Sequence, residues 1–312
     1  MKRPAWAASP GFPLCWAALE RRGKTDQLLD MAAARVVVFP VEQLNALPQT
    51  PESLEFYEVT ESWTNPDTRA KITAENIETD GSLDKLMAVL TRLKAMPVPF
   101  GSVFLDCGGY DPGIPVYHDH KEANLLLRGM LVIEGELPLG FWSPRSSGLV
   151  LTDDHREELS AWTKLGISDV KWLRGQCGRI SEDRTLAILD FLQSVNVEVV
   201  ESPMKVQARE REIKKGREIA LTVQVKQSKR RVSKQSENRA DFSHRFEVRG
   251  HYTHHFETKP DGTPNKVFER YSRLHPEKVL TIQDQPCVRF WTPPFVKGPI
   301  DKPFVPKVRV VE

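Results

Sequence analysis

The sequence predicts an α+β protein in which an acidic N-terminal domain, built on a mixed α/β sheet, precedes a small β-rich, basic C-terminal module. Three observations lead to that class. Up to about residue 200, segments with apolar residues at three- and four-residue spacing alternate with short β-branched runs. The charge changes sign along the chain: residues 1–204 hold 20 Lys and Arg against 29 Asp and Glu, whereas residues 205–312 hold 24 against 13. From Phe242 onward, aromatic and β-branched residues come in short runs broken by Pro and Gly, a strand-and-turn pattern. The 312 residues exceed the size, about 250–300 residues, at which one core stops growing. Two domains are therefore expected, 1–204 and 242–312, joined by a basic connector at 205–241.

The elements follow in order. Residues 16–34 place apolar side chains at helical spacing, with Gly23 as a dividing point. Arg35–Pro40 (RVVVFP) is β-branched and closed by Pro, as a buried strand is. Gln43–Asp67 reads as loops around a strand carrying Phe56, Tyr57 and Trp63. Residues 83–95 (LDKLMAVLTRLKA) form a helix with Asp80 or Ser82 as its cap. Three strands come next, 100–107, 124–135 and 139–143, separated by Gly-rich turns. Helical spacing resumes over 153–173, then over 181–195, where the Ser181 hydroxyl with Glu182 and Asp183 suits a helix N-terminus. A strand at 197–200 follows. The connector lacks aromatics, so it is either a mobile linker or an exposed basic helix and strand, with 219–225 as the strand.

Several classes are excluded. Cys15, Cys107, Cys177 and Cys287 are far apart and never form a CxxC pair, which argues against a zinc ribbon or a disulfide scaffold. No apolar run reaches the roughly 18 residues of a membrane span. Pro4, Pro10 and Pro13 interrupt the apolar N-terminus, against a signal peptide. The expectation is a cytoplasmic protein with no cofactor and no membrane partner.

The charge split points to a polyanion partner for the basic part, or to docking of the basic part on the acidic one. Lys226, Lys229, Arg230, Arg231 and Lys234 in KQSKRRVSK, with Arg245, Arg249 and His251, are the candidate nucleic-acid contacts. The run has no interleaved aromatic, which favours phosphate-backbone contact, with DNA and RNA both open, over base stacking. The acidic domain is the candidate surface for a protein partner.

A resemblance sharpens the setting. SHRFEVRGHYTHHFE (243–257), VRFWTPPFVKGP (288–299) and VPKVRVV (305–311) resemble the C-terminal signature of a family of uncharacterised actinobacterial, phage and mobile-element proteins. In that family an RGH strand precedes an aromatic W-x-P-x-x-K/R-G strand and a Val-rich strand. The corresponding residues here are Arg249, Gly250 and His251, then Trp291, Pro293 or Pro294, Lys297 and Gly298, then 308–311. Pro99–Phe100 and Arg128–Leu131 match loosely in the front part, and Asp261–Gln285 is an insertion. The resemblance implies a phage or mobile-element context and carries no catalytic role, because the family has no established reaction.

Two clusters are candidate chemistry. His244, His251, His254 and His255 stand with Arg245, Arg249 and Tyr252. On a strand His251 and His255 share a face, roughly 13 Å apart, and His254 takes the other. That spacing holds a metal only if a bend at Gly250 or Thr253 closes it, with Glu257 as a further ligand. The alternative function is a metal-independent nuclease or toxin-like enzyme in which His251, His254, His255 and Tyr252 supply acid-base and backbone-positioning groups. The second cluster, Asp106 with His118 and His120, lies in a segment read as a Gly/Pro-rich loop, in which Asp111-Pro112-Gly113 signals a turn; it is a weak metal candidate. A third reading is a structural or assembly protein that docks its basic part on the acidic domain of another copy. Trp142, Trp162 and Trp172 read as core; Trp291, with Phe290 and Phe295, reads as core or as a docking patch.

Overall fold

The structure, a computed structural model, describes residues 3–4, 6–47, 90–118, 121–145, 149–153, 170–226, 245–297 and 303–304. Helices and a mixed sheet coexist with a second, small sheet, which makes the chain α+β. Contacts divide it into two compact units. The first comprises Met1–Asn45, Gln49–Leu189 and Val199–Val223; the second comprises Ala46–Pro48, Asp190–Glu198 and Gln224–Glu312. Among the described residues no helix is long and apolar enough to cross a membrane.

In the first unit, a short strand β1 (Trp6–Ala7) leads into helix α1 (Gly11–Arg21), which buries Phe12, Cys15, Trp16, Ala18 and Leu19 along one stripe. Gly23, at φ 66°, ends that stretch and lets helix α2 (Thr25–Ala33) begin, so the region expected as one divided helix is two. Strand β2 (Arg35–Val38) buries Val36 and Val37 and is followed by helix α3 (Val41–Ala46). That helix corrects the loop reading from Gln43; residues 51–89, with the expected aromatic strand and the start of the 83–95 helix, lie outside the described residues, and 90–95 are helical.

Strands β3 (Ser102–His118), β4 (Lys121–Ile133), β5 (Leu139–Pro144) and β6 (Leu151–Thr152) form an antiparallel run. The expected loop after Cys107 is instead strand. β3 continues through two register shifts, at Asp106/Tyr110 and Tyr110/Ile114, where Gly108, Gly109 and Gly113 adopt positive φ. The turn chemistry of Asp111 survives locally: its carboxylate accepts from Gly113 N at 2.9 Å and from Asn124 Nδ2 at 2.9 Å, so the turn becomes a bulge inside the ladder.

Helix α4 runs unbroken from Val170 to Leu192. Ser181 is therefore mid-helix rather than a cap, and the expected start at 181 is corrected; 154–169 lie outside the described residues. Burial of Cys177, Ile180, Leu186, Ile188, Leu189 and Phe191 outweighs the local capping preference. After β7 (Val197–Glu201) comes helix α5 (Val206–Lys214), then β8 (Glu218–Ile219) and β9 (Leu221–Val225). The sheet order is β6-β5-β4-β3-β2-β9-β7, with β2 parallel to both β3 and β9. The stretch from 205 is thus an ordered helix and strands as far as Lys226, and not a linker. The core of the first unit packs Phe12 edge-on against Phe104 (5.3 Å between centroids, 89°), and Phe104 against Phe141 (5.9 Å, 63°).

The second unit holds β10 (Phe246–Val248), paired with β14 (Phe295–Lys297), and a three-stranded sheet ordered β11-β13-β12. These are β11 (His251–Phe256), β12 (Leu280–Ile282) and β13 (Gln285–Thr292). Helix α6 (Lys266–Leu274), capped by the Asn265 side chain on Val267 N, buries Phe268 beside Val288 and Val195. The expected insertion therefore contributes a helix and a strand to this unit. A Cβ at Gly250 would meet Cζ2 and Cη2 of Trp291 at 2.4 Å, so the glycine and the tryptophan are a packing pair.

Candidate functional site

β11 pairs with β13 so that Tyr252, His254 and Phe256 stand opposite Trp291, Arg289 and Cys287, while His251, Thr253 and His255 stand opposite Thr292, Phe290 and Val288. The pleat puts the first six on one face and the last six on the other. The four candidate groups are thus split in pairs: Tyr252 with His254, and His251 with His255.

On the first face Arg289, 7% exposed, donates to the Asp190 carbonyl and lies 3.2 Å from its carboxylate. Its guanidinium sits 4.3 Å from the Tyr252 ring centroid, and the Trp291 ring is 5.1 Å from Tyr252. Burial drives the Tyr252 hydroxyl well above the ordinary phenol range, the wrong direction for an ionised nucleophile or base. His254 is pushed down by burial first and by Arg289 second, and His255, edge-on to Phe290 at 5.2 Å, is pushed down by burial. Both imidazoles are therefore neutral near pH 7 and contribute hydrogen bonds rather than positive charge.

His251 is exposed, with Nδ1 3.1 Å from the Arg249 carbonyl, and Arg249 is exposed beside it. Arg245 is half-buried at a bridge to Phe304. Lys226 forms an ion pair with Glu198. His244, Lys229, Arg230, Arg231 and Lys234 lie outside the described residues.

The Asp106 carboxylate is fully buried and accepts from Ser9 Oγ at 2.6 Å, Gly11 N at 2.8 Å and Gly108 N at 3.1 Å. It serves the N-terminus of α1, where Pro10 offers no side-chain cap. His118 ends the same strand opposite Lys121, whereas Asp106 pairs with Gly129, so the two are on the order of 30 Å apart along the hairpin. They do not share a site; His120 lies outside the described residues. Among the described residues no group of three or more His, Cys, Asp or Glu is placed to hold a metal.

The structure redistributes the charge. Around α5, Arg209 pairs with Glu201 (2.8 Å), Lys215 and Arg217 with Glu212 (3.1 and 2.6 Å), and Arg35 with Glu218 (3.2 Å). Much of the basic excess read in the connector is thus balanced within the first unit. By unit, the first carries 26 Lys and Arg against 30 Asp and Glu, and the second 18 against 12. The sign of the split is kept and its size reduced.

One cluster is not visible in the sequence. Buried Asp153 accepts from Ser181 Oγ at 2.5 Å, Gly140 N at 2.8 Å and Trp142 Nε1 at 3.4 Å. Burial pushes its carboxyl up to about 6 against those three hydrogen bonds. Glu182 is pushed up to about 8, by burial first and by Asp153 second. In sequence, Asp153 reads as the start of a helical stretch, and nothing beside it names Ser181 or Gly140 as its partners. Both shifts are upward, so across roughly pH 4.5–8 the folded chain binds more protons than the unfolded one and stability falls as pH rises. We expect a loss of several kcal/mol, at most about 8 kcal/mol, across that window, with Glu182→Gln removing more than half of it in denaturant melts at a series of pH values. A slope that Glu182→Gln leaves unchanged contradicts the assignment.

No family model, no curated protein and no solved structure matches the chain.

Proposed function

We propose that this protein binds nucleic acid, or another polyanion, through its basic C-terminal part, as a phage- or mobile-element-associated cytoplasmic protein. The observation that carries the reading is the excess of 18 Lys and Arg over 12 Asp and Glu in the second unit, while the first is net acidic. Exposed Arg249 supports it, since its guanidinium presents donors to solvent beside the start of β11, where His251 is also exposed. The basic run from Lys226 to Lys234 extends the same polarity. The contacts are to phosphates: the neutral His254 and His255 add hydrogen bonds, and the aromatics Trp291 and Tyr252 are engaged in packing and so are poor stacking platforms. The acidic unit offers its surface to a protein partner.

The test is a salt titration against labelled single- and double-stranded DNA and RNA, with strand integrity read on the same samples. Affinity is expected to fall linearly in log-log form as salt rises, and Arg249→Gln to reduce the slope by about 0.7–0.9. Absence of binding at about 50 mM salt, where phosphate contacts are strongest, sinks the proposal. Cleavage abolished by His251→Ala would replace it with the nuclease reading, and salt-sensitive self-association without nucleic-acid binding would replace it with assembly.

A further inference from the structure

The first unit carries an open groove of about 450 Å³, lined by Trp6, Pro10, Met204, Ala208, Arg211 and Arg217 among others. Its two walls are the segment that leads into α1 and the inner side of α5. The volume falls within the range of small-molecule sites, about 300–1,000 Å³, and the lining combines apolar surface with a few charged groups.

The charges have a definite sign. Glu212, which also lines the groove, accepts from Lys215 Nζ at 3.1 Å and Arg217 Nη1 at 2.6 Å, and these bonds keep its carboxyl below the usual range and ionised. Two cations thus surround one anion. Arg211 adds a third cation that forms no ion pair among the described residues. The α5 end of the groove is therefore net positive, and Arg211 holds a planar set of donors open to solvent. The Trp6 indole, packed edge-on against Phe12 at 6.3 Å, lines the same groove, and Met204 and Ala208 add to its apolar surface. Helix α5 buries none of its own residues, so this side is not sealed by the unit's own packing.

We infer that the groove binds a small apolar carboxylate, with its ring or chain against Trp6 and Met204 and its carboxylate on Arg211 and Arg217. One guanidinium fork matches one planar carboxylate, and the apolar part of the lining rewards a hydrophobic body over a freely hydrated ion. The site is separate from the surface proposed for polyanions and stands or falls independently of it.

The experiment uses the full chain, with 2-naphthoate and its neutral isostere 2-naphthamide as probes, in calorimetry and tryptophan fluorescence. Saturable naphthoate binding is expected, with naphthamide at least roughly tenfold weaker and Arg211→Gln lowering naphthoate affinity by a similar factor, as loss of a charge-assisted contact does. Trp6→Phe trims the apolar lining, so it should weaken naphthoate binding and lose most of the fluorescence response. Arg211 is exposed, so its replacement leaves the fold intact. The assignment is overturned by no saturable binding up to about 10 mM, by naphthamide binding as tightly as naphthoate, by wild-type affinity in Arg211→Gln, or by an undiminished fluorescence response in Trp6→Phe.

Discussion

Gly140→Ala is expected to destabilise the first unit by about 3–5 kcal/mol, a large effect for the addition of a single methyl group. A Cβ at this position would stand 2.1 Å from Ser181 Oγ, 2.3 Å from Asp153 Oδ2 and 2.8 Å from Trp142 Nε1. None of the three is the loose end of a long side chain. All are buried and already joined in one hydrogen-bonded group, so making room means breaking bonds to a buried carboxyl as well as shifting β5 from α4. Gly178→Ala is the internal control. A Cβ there meets nothing within 4 Å, and alanine in a helix gains about 0.5–1 kcal/mol over glycine. Chemical denaturation of the two variants should move in opposite directions; a Gly140→Ala midpoint equal to wild type would show that β5 and α4 are not packed as described.

Asp106→Ala should cost about 3–5 kcal/mol, because it strands the Ser9 hydroxyl and the Gly11 amide, both buried, removes an acceptor from Gly108, and leaves a cavity besides. Asp106→Asn keeps one acceptor oxygen and the volume, so it should cost about half as much. The melting temperature should fall in that order and be unchanged by added divalent metal or chelator. A metal-dependent melting temperature in wild type that Asp106→Ala abolishes would return this residue to a ligand role.

How much of this was legible in the sequence depends on the range of the force involved. Gly23 between two apolar stripes, and the β-branched run at 35–38, declared themselves because their conformations are decided by neighbours a few residues away. Alternation likewise gave the faces of His251, His254 and His255. Ser181 misled because SED at 181–183 has the local chemistry of a helix start, and what overrides it, the burial of α4 on both sides of that serine, is a tertiary effect. The Asp111-Pro112-Gly113 turn misled for the same reason: its hydrogen bond forms as the local rule says, but the strand opposite absorbs it as a bulge. The partners of Tyr252 and His254 were out of reach altogether, since Asp190 and Arg289 are 99 positions apart and nothing in either neighbourhood names the other.

The place of β9 in the sheet carries a consequence for the order in which this chain comes into being. β2 has β3 on one side and β9 on the other, and the contact between Val38 and Thr222 spans 184 positions. At ribosomal rates of about 5–20 residues per second, the apolar edge of β2 stays open for roughly 10–40 s after it is made. In the interval the chain has already laid down Asp190–Glu198, which belong to the other unit, before Val199–Val223 return to the first. A nascent chain therefore holds a Val-rich, unpaired edge for most of its synthesis, the kind of surface that chaperones bind and that aggregates in their absence.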